Sequence, residues 1–163
     1  MRELVLTTAS PEETRELGRL LGSLLSGPMT LLISGDLGAG KTCFTQGFAR
    51  GLDVPAEEAV ASPSYTLMNQ YHGRLELAHF DLYRLNHPDD LDDLGFDEVV
   101  AGDGVTVVEW ADRFPDLKLP GLVLHLEYLD EQRRSIALRA RGTAAEKELE
   151  KLAVQWQQKR GDK

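Results

Sequence analysis

The stretch Gly35-Asp36-Leu37-Gly38-Ala39-Gly40-Lys41-Thr42 constrains this chain more than any other. It fits the spacing G-x-x-x-x-G-K-[ST] of a phosphate-binding P-loop. Its flanks fit as well. Met29 to Ile33 is short, apolar and partly β-branched, as a buried strand is. Thr42 to Arg50 reads as a helix stopped by Gly51. Glycines let the loop curl so that its N–H groups converge on phosphate oxygens, and the helix N-terminus adds partial positive charge. In such a loop Lys41 reaches the β- and γ-phosphates, and the Thr42 hydroxyl ligates Mg²⁺. The alternative, an ordinary Gly-rich turn, would not call for an eight-residue match with strand and helix in place.

The rest of the chain supplies a sheet around this unit. Glu3 to Thr7 is a candidate edge strand. Ser10-Pro11-Glu12-Glu13 opens a helix, with Ser10 as N-cap and Glu13 completing a capping box. Leu17, Leu20, Leu21, Leu24 and Leu25 give that helix an apolar stripe, and Gly27-Pro28 ends it. Leu52 to Ser64 is loop-like. Thr66 to Tyr71 and Leu75 to Asp81 read as antiparallel strands around His72-Gly73. A short helix is expected over Pro88 to Gly95 and another turn over Asp97 to Ala101. Val105 to Glu109 is apolar until its last residue, as a central parallel strand would be. Leu122 to Tyr128 and Ser135 to Ala140 read as a terminal hairpin. Thr143 to Lys159 is a charged helix with Leu149, Leu152, Ala153 and Trp156 on one side, and Lys159 to Lys163 are expected to fray. The expected fold class is α/β: a single P-loop NTPase-like domain over residues 1–163, with a mixed, largely parallel sheet flanked by helices.

Charge narrows the function classes. The 163 residues carry 18 Lys+Arg against 27 Asp+Glu, a formal net charge of −9. That argues against stand-alone nucleic-acid binding and against an anionic membrane surface. No apolar run approaches the ~18 residues of a membrane span, and Met1 to Leu6 lacks the apolar core of a signal peptide. One cysteine, Cys43, leaves no intrachain disulfide and suits a reducing compartment. The expectation is a cytoplasmic protein, with Cys43 as a small packed side chain.

Hydrolysis needs more than a phosphate cradle: a metal partner and a group that positions water. Two strands end in acids, Leu77-Ala78-His79-Phe80-Asp81 and Val105-Thr106-Val107-Val108-Glu109. Ligands of open α/β sheets bind beyond the carboxyl ends of strands, so both acids are placed to meet a nucleotide. Asp81 is the candidate second Mg²⁺ group and Glu109 the candidate for orienting water; capping a helix or facing solvent is the alternative for each. His79 shares the face of Asp81, as support for the site or as a hydrogen-bonded core histidine. Trp110 is placed to stack on a ring or fill space, and Arg84 and Arg113 to meet transferred phosphate charge or surface acids. The Asp89 to Asp93 cluster lacks the Gly and Glu placement of a calcium loop and reads as a solvated helix start.

Taken together, the P-loop, Ser62-Pro63-Ser64-Tyr65-Thr66-Leu67, His79-Phe80-Asp81-Leu82-Tyr83-Arg84-Leu85 and Val107-Val108-Glu109-Trp110 closely resemble the bacterial TsaE (formerly YjeE) family. The intervening Leu94-Gly95-Phe96-Asp97-Glu98 agrees. The resemblance covers about Ser10 to Gly142, and the H-x-D-x-Y-R and E-W segments are more specific than the P-loop. It implies an ATPase that supports threonylcarbamoylation of adenosine 37 in tRNA, works with TsaD and TsaB, and meets tRNA only through that complex. It implies ATP and Mg²⁺ as cofactors, Thr42 and Asp81 as metal groups, Glu109 as the catalytic carboxylate, Trp110 as a required residue, and Ser62 to Thr66 as a switch-like loop. The chain departs from the family in having Cys43 and Ser64 where threonines are usual; Lys41-Thr42 is intact. A small P-loop kinase and a non-hydrolysing nucleotide sensor are the competing readings.

Overall fold

A computed structural model describes residues 2–36, 38–61, 63, 67–85, 87, 89–114 and 119–161. Leu37, Ser62, Ser64 to Thr66, Pro88, Asp162, Lys163 and the Arg113 side chain, all named in the sequence reading, lie outside it. Seven strands form one sheet: β1 (Glu3–Thr8), β2 (Met29–Gly35), β3 (Met68–Tyr71), β4 (Leu77–Asp81), β5 (Val105–Glu109), β6 (Gly121–Tyr128) and β7 (Arg134–Arg141). Their spatial order is β1-β7-β6-β2-β5-β4-β3. The four central strands β6, β2, β5 and β4 run parallel, and antiparallel pairs close both edges. Five helices complete the chain: α1 (Pro11–Leu24), α2 (Lys41–Gly51), α3 (Asp89–Asp92), α4 (Phe96–Val100) and α5 (Thr143–Gly161).

The central strands are apolar because they are covered on both faces. Leu31, Ile33, Leu77, Val105 and Val107 pack with residues of α1, α2 and α5. Leu32, Ala78, Phe80 and Val108 point the other way, onto Leu91, Phe96 and Phe114. The period-2 alternation has a consequence for function: His79 and Asp81 share the Leu77 face, and Glu109 shares the Val107 face, which is the side of α2.

Helix α2 is seated by an unusually close contact with α1. A Cβ placed on Gly18 would lie 2.2 Å from the Phe44 carbonyl oxygen, and one on Gly47 would lie 1.9 Å from that of Arg15. The two backbones touch, so no side-chain rearrangement can make room. We expect Gly47→Ala to destabilise the fold by about 1–3 kcal/mol or more, the scale of overpacking, as a lowered midpoint in chemical denaturation; a wild-type midpoint would show that the helices do not approach this closely. Arg74 fastens the far ends of the same helices, donating to the carbonyls of Leu25 at 2.6 Å, Gly22 at 2.9 Å and Gly51 at 3.2 Å.

At the start of α1 the Ser10 hydroxyl accepts the Glu13 N–H at 3.1 Å, as the cap signal predicts. The described helix α5 runs two residues past the end at Lys159 that the sequence suggests. Helix α5 continues to Gly161. Lys159 pairs with Glu16, and Arg160 donates to the Thr7 carbonyl at 3.0 Å and lies 3.4 Å from Glu13. These are contacts across the fold, which position in the sequence cannot reveal. Among the described residues no helix is long and apolar enough to cross a membrane.

Candidate active site

The three strands that carry the candidate residues end at one level. Ile33 of β2 pairs with Glu109 of β5, and Glu109 pairs with Asp81 of β4. The Leu82 N–H donates to the Glu109 carbonyl at 3.1 Å and fixes the two strand ends together. Just beyond Ile33 the chain turns through Gly35, Gly38 and Gly40, with φ of 146°, 81° and 99°. Gly35 has a second reason to be glycine: a Cβ there would lie 2.5 Å from the Leu126 carbonyl oxygen. Asp36 is exposed, Ala39 is buried, and Gly40 in left-handed conformation starts α2. Beyond this edge lies a cavity of about 530 Å³, walled by Gly38, Gly40, Lys41 and Thr42 on one side and by Asp81, Glu109 and Trp110 on another. The structure thus brings Lys41, Thr42, Asp81, Glu109 and Trp110 to one space.

Lys41 is buried at 7% exposure. Its Nζ donates to the carbonyls of Gly35 and Asp36 and lies 4.2 Å from the centre of the Trp110 ring. Burial holds its pKa below the ordinary lysine value, against the pull of Glu109, Asp112, Asp36 and Asp81. Asp81 is shifted the opposite way. Burial is the largest cause of its raised pKa, and the neighbouring Glu109 charge adds to it, while the Tyr83 N–H, His79 and Lys41 oppose it. Its Oδ1 accepts that Tyr83 N–H at 3.0 Å, which aims the carboxylate.

Glu109 is 1% exposed, and its Oε2 lies 2.6 Å from Nε2 of His79, itself 1% exposed. An ionised carboxylate only accepts, so Nε2 is the donor. The contact exists because β4 and β5 are neighbours, and it fixes one carboxylate oxygen. Trp110, the next residue, has φ 59° and ψ 36°. A bulky residue in the left-handed region is a strained one, worth on the order of 1–3 kcal/mol, and such strain collects at functional sites. The turn throws its ring back over Lys41 and against Tyr83, with ring centres 4.8 Å apart.

The match to proteins of known family is of a piece with this geometry. The family model described as "Threonylcarbamoyl adenosine biosynthesis protein TsaE" matches residues 8–136. The chain belongs to the TsaE family. A Bacillus subtilis protein named tRNA threonylcarbamoyladenosine biosynthesis protein TsaE is 37% identical over 155 residues, covering 94% of this chain and 96% of its own length. The protein of that name from Treponema pallidum is 44% identical over 104 residues, 64% of this chain and 76% of its own. The crystal structure of Bacillus subtilis YdiB superposes with a TM-score of 0.80 at 33% identity, covering 94% of this chain and 96% of that one. The fold is therefore the P-loop NTPase-like fold of TsaE proteins, and the chain stands among proteins of tRNA threonylcarbamoyladenosine biosynthesis.

The TsaE motifs do not account for every cavity residue. Tyr83 and Arg84, both inside the H-x-D-x-Y-R segment, line the space, and Arg134 at the start of β7 lines it from outside every motif. Tyr83 lies inside a motif segment but has no role assigned from sequence. Arg134 had no signal at all: in Arg134-Ser135-Ile136-Ala137-Leu138-Arg139-Ala140-Arg141 it reads as one of three arginines on an antiparallel strand.

Proposed function

We propose that the chain is a Mg²⁺-dependent ATPase that acts with TsaD and TsaB in the threonylcarbamoyl modification of adenosine 37 of tRNA, as one P-loop domain in the cytoplasm. The observation that carries this reading is the Glu109 carboxylate, buried, held by His79, and facing the same cavity as Lys41 and Thr42. A nucleotide sensor needs the cradle but not such a carboxylate. A kinase needs an acceptor as well, and a screen of phosphoryl acceptors separates it from a hydrolase.

The residues present fit ATP and Mg²⁺. Positive-φ glycines, a buried lysine and the N-terminus of α2 suit a polyphosphate. The oxygen donors Thr42 and Asp81 suit a hard cation. Among the described residues no three His, Cys, Asp or Glu side chains gather to hold a metal by themselves, so phosphate oxygens would complete the shell. Mg²⁺, when bound, neutralises charge on the β- and γ-phosphates. Lys41 binds the same phosphates. Glu109 orients a water and accepts its proton as the water oxygen bonds to the γ-phosphorus; the bond from that phosphorus to the β–γ bridging oxygen breaks, giving ADP and phosphate. His79 keeps Glu109 turned toward the cavity.

Asp81→Asn keeps size and loses charge. We expect its Mg²⁺ requirement for turnover to rise by roughly 10–100-fold, the scale on which even indirect metal partners matter. A Mg²⁺ titration that coincides with wild type would remove Asp81 from the metal site. The function itself is tested by reconstituting modified tRNA from the purified pathway proteins with and without this chain. Sustained product formation should require it, and Glu109→Gln should not replace it; formation that proceeds equally without it would refute the assignment.

A further inference from the structure

We propose that Arg134, outside every recognised motif, binds the nucleoside-side (α) phosphate of the nucleotide. The proposal rests on the nucleotide-binding reading given above. Its first support is position. β2 carries the P-loop, with β5 and β4 on one side and β6 and β7 on the other. Asp81 and Glu109 occupy the first flank. On the second, Gly35 pairs with Leu126, Leu126 with Ile136, and Tyr128 with Arg134. Because β6 is parallel to β2, Tyr128 and Arg134 stand past the carboxyl edge of the sheet, on the flank away from the acids. The Arg134 Cγ and Nε both lie 3.7 Å from a Cβ placed on Gly40, at the N-terminus of α2.

Its second support is preorganisation. The guanidinium lies over the Tyr128 ring, with Cζ 4.6 Å from the ring centre. Nη1 donates to the Asp130 carbonyl and, at 2.8 Å, to that of Arg133. The Asp130 carboxylate braces this turn: it accepts the N–H groups of Arg133 at 2.7 Å and Gln132 at 2.9 Å, and these with the Arg133 side chain hold its pKa down to about 2. In contrast, Nε of Arg134 is buried with no hydrogen-bond partner among the described residues. A buried guanidinium N–H beside a cavity, on a side chain otherwise held in place, calls for an acceptor.

The direction of the phosphate chain names that acceptor. Glu109 and Asp81 mark the γ-phosphate end, and the loop glycines embrace the β-phosphate. On that reading the α-phosphate would lie beyond the β-phosphate on the Gly40 side, the flank where Arg134 stands.

The test is calorimetric titration of ADP and of ATP with Mg²⁺ into wild type, Arg134→Gln and Tyr128→Leu, with turnover at saturating ATP and thermal midpoints alongside. Arg134→Gln should weaken ADP and ATP alike, by about 10- to 100-fold, the ordinary worth of a hydrogen bond to a charged group. Its turnover at saturation should stay within about twofold of wild type, as expected for uniform binding. Tyr128 is exposed, so Tyr128→Leu spares the core; it should weaken both nucleotides less, in the same sense. Unchanged ADP affinity in Arg134→Gln, or a fall in saturated turnover with affinity intact, would overturn the proposal and leave the nucleotide-binding reading standing. A wild-type chain that binds neither nucleotide would overturn that reading and this one together.

Discussion

Replacing Glu109 with glutamine should leave nucleotide affinity close to wild type and lower ATP turnover by roughly 10²-fold or more, the range for general acid–base groups. The substitution keeps shape, and the glutamine oxygen can still accept from His79 Nε2, so the 2.6 Å contact and the ends of β4 and β5 have no reason to move. What disappears is the charge that polarises water. Steady-state phosphate release and calorimetric binding, run together, separate the two effects. A variant that loses affinity and keeps its rate would place Glu109 on the ligand and not in the chemistry.

Lys41→Ala should have the largest effect: hydrolysis falls below detection and ATP affinity drops, since no other described cation lies within the loop itself. The fold should survive although Lys41 is buried. Among the described residues its Nζ donates to the Gly35 and Asp36 carbonyls and lies over the Trp110 face, all beside an open cavity where water can replace it. Burial already disfavours its charge, so removal relieves a desolvation cost. Circular dichroism of the variant should match wild type. Undiminished turnover would contradict the P-loop assignment.

The parts of this site that could be read from sequence are those written in local spacing. The G-K-T spacing, the Ser10 cap and the two-residue period of β4 and β5 are properties of neighbouring residues, and each survives in the structure. That period already places His79 and Asp81 on one face. It cannot say that β4 lies beside β5, which is what sets His79 against Glu109. The contact of Gly18 and Gly47 with the facing helix joins residues on separate helices, and an isolated glycine in a helix reads only as a weak point. Arg134 is the extreme case. Its strand shows ordinary alternation, and its importance comes from where β6 leads the hairpin relative to the P-loop. The contacts at the end of α5 are illegible for the same reason, because the partners of Lys159 and Arg160 come from α1 and β1.

Steady-state phosphate release from ATP by the purified chain, titrated with the TsaD–TsaB pair at fixed Mg²⁺ and salt, tests the central proposal most directly. The expected result is slow turnover alone that climbs and saturates as the pair is added. Gains of about 10³–10⁵ accompany a partner that supplies a missing transition-state group, and ordering alone should give less. A rate that starts high and does not respond to the pair would contradict a partner-gated ATPase and return the kinase reading to contention.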